Sequence, residues 1–127
     1  MKTEKECPFC LIEKNRDIIC ESKGALAIPD KFPISPGHML IVPKQHVSDY
    51  FELSEAEQQE LWQLVNRCKA ILTERYRPDG FNVGINVGPT AGQTIFHVHI
   101  HLIPRYKGDV KNPKGGIRHT IPGKGYY

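Results

Sequence analysis

From Phe96 to Leu102 the chain alternates apolar and imidazole side chains without a break: Phe96-His97-Val98-His99-Ile100-His101-Leu102. A period of two belongs to an extended strand, whose successive side chains point to opposite faces. Phe96, Val98, Ile100 and Leu102 then share one face, and His97, His99 and His101 the other. Such a strand, expected over 94–103, needs a sheet with one face on a core and the other turned to chemistry. Three titratable rings in a row pack no better than apolar side chains would, so the row is read as functional. His119, alone near the C-terminus, is read as an ordinary surface or structural residue.

At about 3.3 Å per residue, His97 and His101 lie roughly 13 Å apart along a regular strand, whereas ligands of a Zn²⁺ ion sit about 2 Å from it. One ion does not easily take both, so the three rings need at least two jobs. Phosphate chemistry suits the rings left over: an unprotonated imidazole is a nucleophile at neutral pH, and a ring N–H donates to phosphate oxygens.

Around this strand the chain predicts an α+β domain, an antiparallel sheet of about five strands with one long helix on one face. Strands are expected over 18–21 and 25–28, joined by the turn Ser22-Lys23-Gly24, then over 38–42 and 81–87. A short helix is expected over 11–14. The segment 29–37 carries three prolines and a glycine and reads as a loop. Ser54 with Glu57 forms a capping-box signature, and Leu61, Leu64, Val65, Cys68, Ile71 and Leu72 recur at helical spacing behind it until Arg77-Pro78-Asp79-Gly80. With 127 residues the chain fits one domain, a core over 1–104 and an irregular tail over 105–127.

The net charge of +3 is scattered rather than gathered in a basic stripe with aromatics, which suits a phosphate-bearing small molecule over nucleic acid. No apolar run is long enough for a membrane span or a secretory signal, so a soluble, cytoplasmic protein is expected. Four cysteines in such a chain point to metal or free thiols before disulfides. Cys7-Pro8-Phe9-Cys10 has the two-residue gap of a zinc knuckle, and needs two further ligands to close a site. Cys20 and Cys68 read as core thiols.

The run His97-Val98-His99-Ile100-His101-Leu102-Ile103 resembles the defining motif of the histidine-triad (HIT) family. The likeness extends through Pro36-Gly37-His38-Met39-Leu40-Ile41-Val42-Pro43-Lys44-Gln45-His46 and Gly92-Gln93-Thr94, and so covers most of the chain from Cys7 to Arg105. The resemblance implies a nucleotidyl hydrolase or transferase, usually a homodimer joined through the helix and a strand edge. It makes His99 the nucleophile of a nucleotidyl-histidine intermediate, His101 a donor to a non-bridging phosphate oxygen, and His38 their support from a neighbouring strand. Gln93, Thr94 and Asn86 match phosphate-contacting positions, with Thr94 able to protonate the leaving group. Asp30 matches the residue that holds the ribose hydroxyls. The base would lie on apolar side chains, for which Phe9, Leu26 and Ile28 are candidates. His46 and His97 match the histidines that complete a Cys₂His₂ zinc site with Cys7 and Cys10.

Ile103-Pro104-Arg105 is closer to the dinucleoside-polyphosphate hydrolases than to the phosphoramidase branch with its Trp-Pro-Pro-Gly-like ending, although Asn86 stands where the former commonly have Gln. The expected substrate is therefore a dinucleoside polyphosphate such as Ap4A, or another purine nucleotide. Phosphoramidase and phosphorylase activities are the alternatives. From other classes come a nucleotide-binding module without catalysis and a zinc enzyme using His99 and His101 as ligands.

Overall fold

The structure, a computed structural model, describes residues 7–10 and 17–127. The short helix expected over 11–14 lies outside the described residues. Five strands, β1 (Cys20–Glu21), β2 (Ala25–Pro29), β3 (Met39–Pro43), β4 (Gly80–Ile85) and β5 (Ile100–Arg105), form one sheet in the order β1-β2-β3-β5-β4, with every pair antiparallel. The long helix α1 (Glu55–Tyr76) lies between β3 and β4 in sequence. Short 3₁₀ turns occur at Tyr50–Glu52, Pro89–Ala91 and Gly116–Thr120.

The expected capping box is present: Ser54 Oγ accepts from Glu57 N–H at 3.1 Å, and Glu57 Oε1 accepts from Ser54 N–H at 2.9 Å. Leu61, Leu64, Val65, Cys68 and Leu72 form the buried stripe, with Ile71 half-buried beside it. The helix stops where Pro78 disfavours further helix in the residue before it; Arg77 turns left-handed, and its N–H closes on Thr73 O at 3.1 Å.

The sheet has two unlike faces. Ala25 and Ala27 of β2, Met39 and Ile41 of β3, and Ile100 and Leu102 of β5 pack with the α1 stripe in one core. Leu26, Ile28, Leu40 and Val42 point the other way and join Cys7 and Phe9 in a second apolar cluster. His101 lies on this second face, one pleat from Ile100 and Leu102.

The expected final strand over 94–103 is corrected at its start. The ladder begins only at Ile100, and His97 and His99 precede it. Continuing the register upstream would set Val98 opposite Pro43, which has no N–H to give. Val98 N–H instead bonds to Val47 O at 2.8 Å, beyond the end of β3. The alternation persists without the ladder: Val98 packs in the helix-side core with Ile100 and Leu102, while His97 and His99 lie against Phe9 of the other cluster, and all three are buried.

Candidate active site and metal centre

His97 turns away from the other two histidines toward the N-terminus. Ligand atoms of Cys7, Cys10, His46 and His97 all lie within 4.8 Å of one another. Cys10 Sγ is 3.1 Å from His46 Nδ1 and 3.5 Å from His97 Nδ1, Cys7 Sγ is 3.5 Å from His97 Nδ1, and the two Nδ1 atoms are 3.3 Å apart. Four ligands about 2.0–2.3 Å from a tetrahedral ion stand about 3.3–3.8 Å from one another, so the donor set and spacing fit Zn²⁺. His97 Nε2–H donates to Pro43 O at 2.7 Å, which leaves Nδ1 unprotonated and facing the cluster. The residues that Cys7-Pro8-Phe9-Cys10 lacked as partners are thus brought to it from the turn after β3 and from the approach to β5.

His99 is held through the backbone of the same residue. Its Nδ1–H donates to His97 O at 2.8 Å, so Nε2 carries the free lone pair. Phe9 lies against the ring at a centroid distance of 5.1 Å. Burial pushes the His99 pKa down, against the raising effects of the His97 carbonyl and Asp30. The ring is neutral at pH 7.

His38 and His101 meet across the strands β3 and β5. The turn that delivers His38 needs Gly37 at φ +89°, where a Cβ would sit 2.9 Å from Leu72 Cδ2 of the helix. Ile34 N–H donates to His38 Nδ1 at 3.2 Å, which places the His38 proton on Nε2. That Nε2 lies 3.0 Å from His101 Nδ1 and 3.3 Å from Asp30 Oδ2. His38 therefore donates, His101 Nδ1 accepts, and the His101 proton sits on Nε2, available to a ligand. Burial lowers the His38 pKa against the pull of Asp30. For His101, burial first and then the neighbouring His99 and His38 push the value down to about 4.

Asp30 is anchored by its own loop, with Oδ1 accepting from Phe32 N–H at 2.8 Å. Its other oxygen faces the His38–His101 pair, a placement that sequence spacing did not signal. Asp30, His38, His101 and Asn86 line one cleft of about 470 Å³ on the second face of the sheet. Gln93 is spent elsewhere: its amide donates to Ser48 O at 2.8 Å and Ile95 O at 3.1 Å, and Oε1 accepts from Gly88 N–H at 2.9 Å. It is buried and staples the loop before the histidines. Thr94 follows it, exposed. Phe9, Leu26 and Ile28 all lie in the second apolar cluster. Cys20 and Cys68 pack with the helix-side core, and burial raises the Cys68 thiol to about 12. His119 is structural, its Nε2–H donating to Lys114 O at 2.8 Å.

Residues 12–108 match the HIT domain family model. The chain belongs to the HIT family. Among its HIT relatives is the AP-4-A phosphorylase of Mycobacterium tuberculosis, 34% identical over 107 residues, which are 80% of this chain and 55% of that protein. Another is the bis(5'-adenosyl)-triphosphatase of Dictyostelium discoideum, 35% identical over 99 residues, 78% of this chain and 66% of the relative. The chain thus spans about half to two thirds of the length of these two enzymes. A Zn-bound histidine triad family protein from Mycobacterium smegmatis has the same fold, with a TM-score of 0.77 and 32% identity over 84% of this chain and 80% of that one. No helix among the described residues is long and apolar enough to cross a membrane.

Proposed function

We propose that this HIT protein hydrolyses a dinucleoside polyphosphate at an α-phosphate through a nucleotidyl-His99 intermediate. The observation that carries the reading is the 2.8 Å bond from His99 Nδ1–H to His97 O, which leaves Nε2 bare. In the first step Nε2 forms a bond to the α-phosphorus, and the bond to the bridging oxygen breaks with its electron pair on the leaving polyphosphate. The Thr94 hydroxyl is the proposed proton donor to that oxygen. Water then bonds to phosphorus, the N–P bond breaks, a nucleoside monophosphate departs, and His99 regains its lone pair as the water's proton restores the Thr94 hydroxyl. Splitting one displacement into two in this way is what a nucleophilic side chain contributes.

His101 Nε2–H holds a non-bridging oxygen in both steps, and His38 keeps it in the donating tautomer. Asp30 accepts from the ribose hydroxyls, and Asn86 contacts phosphate from the opposite rim. Gln93, committed to the loop, acts on the phosphate only by shaping the backbone.

The test uses wild type and His99→Ala with Ap4A, Ap3A and adenosine phosphoramidate, without added metal and with or without inorganic phosphate. Wild type should release AMP and accumulate adenylylated protein after rapid quenching, while His99→Ala does neither. Equal turnover in both proteins would exclude the nucleophile. Because the mycobacterial relative is a phosphorylase, the phosphate arm matters: ADP formed only with phosphate would make phosphate, not water, the acceptor.

Cys7, Cys10, His46 and His97 are proposed to hold Zn²⁺ as a closed structural site, without an open position for substrate. Purified protein should carry about one zinc, and Cys7→Ser and His46→Ala should carry none; full stability in zinc-free wild type would sink the assignment. The protein is further proposed to work in the cytoplasm, where its thiols stay reduced. A homodimer is proposed through α1 and the edge strand β4, to be read by sedimentation equilibrium.

A further inference from the structure

One side chain reaches the His38–His101 pair from outside the cleft. Tyr106 directly follows β5, and its hydroxyl donates to Pro36 O at 2.7 Å across 70 residues of chain. That carbonyl belongs to the peptide group that decides the conformation of the turn before His38. Residues 35–38 form a four-residue turn closed by the 3.2 Å bond from His38 N–H to Ser35 O, with Pro36 and Gly37 at its centre and Gly37 at φ +89°. Proline followed by a residue at φ of about +80° is a type II turn, whereas a type I turn keeps the same ends and turns the central carbonyl to the opposite side. Glycine permits both. Only the type II orientation brings Pro36 O to the Tyr106 hydroxyl.

The turn delivers His38 in register with its partners. Asp30 N–H meets His38 O at 3.0 Å, Ile34 N–H meets Nδ1 at 3.2 Å, and Nε2–H reaches His101 Nδ1 at 3.0 Å. Reversing the central peptide would shift residue 38 against Ile34, and so weaken the bond that assigns the His38 proton to Nε2. The hydroxyl that prevents this is itself fixed. Tyr106 N–H donates to Asp109 Oδ2 at 3.0 Å, and Arg105 clasps the same carboxylate through two bonds of 2.7 Å. Burial, then Tyr76 and Asp79, push the Tyr106 phenol up, so it stays a donor at neutral pH.

We infer that Tyr106 is a positioning residue for the reaction: its hydroxyl sets the Ser35–His38 turn, the turn sets the His38 proton, and His38 sets the donating tautomer of His101. The inference rests on the nucleotidyl reading above for the reaction that is served, and on the hydrogen bonds alone for the order of control. Tyr106 touches no substrate atom and acts only through Pro36.

Tyr106→Phe, which removes a single hydroxyl at the surface, tests it alone and combined with His38→Ala. Turnover of Ap4A should fall about two- to tenfold in Tyr106→Phe, the net worth of one hydrogen bond. In the His38→Ala background the same substitution should change nothing further, because the route runs through His38. Equal fractional losses in both backgrounds would mark a general structural effect and overturn the inference. Long-range ¹H–¹⁵N spectra give a readout independent of turnover: His101 should be protonated at Nε2 in wild type and a mixture of tautomers in Tyr106→Phe, and an identical pattern in the two proteins would also overturn it. Absence of Ap4A turnover in wild type refutes the nucleotidyl reading, while the spectra still decide the role of Tyr106.

Discussion

Three neighbouring imidazoles owe their proton positions to the groups around them: the His97 carbonyl for His99, the Ile34 N–H for His38, and His38 itself for His101. His99 and His101 were legible from alternation and His38 from the family resemblance, but these partners were not, because two are backbone groups whose direction depends on the fold and the third pairs His38 with a residue far along the chain. Asp30 is similar: the family resemblance suggested a site residue, while its approach to His101 depends on the whole turn over 30–38. The low pKa of His101 has a measurable consequence. Between about 6.5, the ordinary imidazole value, and about 4, the unfolded chain takes up a proton that the folded protein refuses. Stability should therefore fall as pH drops through that window and be insensitive to this group above it. His101→Asn should flatten the decline in melting temperature between pH 6.5 and 4.5, and parallel slopes in the two proteins would contradict the assignment.

Elements differ in how openly the sequence announces them. Helix α1 was readable because its cap, its stripe and its Pro-Gly exit all agree, and each is a local signal. Ser54→Ala removes the side-chain half of the capping box and should cost about 1 kcal/mol, read as a modest fall in the urea midpoint with an unchanged slope. The start of β5 was not readable. The alternation from Phe96 onward is continuous, yet pairing requires N–H groups on the neighbouring strand, and Pro43 has none. The 3₁₀ turn at Gly116–Thr120 was equally hidden, since the glycines and prolines around it mark turns without saying what they turn against.

For the whole molecule, the sheet separates two tasks: one face stores stability under α1, and the other carries the histidines. Side chains with ligand atoms close together form two clusters among the described residues, one around His97 and one around His101. Stripping metal with a chelator should lower the melting temperature by several degrees in wild type and change nothing in Cys7→Ser, as followed by differential scanning fluorimetry. His97 gives that experiment a second readout, because its ring faces the cysteines while its carbonyl accepts from His99, the proposed nucleophile. Separate batches of the purified protein are then expected to differ in specific activity in proportion to their metal content, with KM constant from batch to batch, although the ion would touch no atom of the substrate.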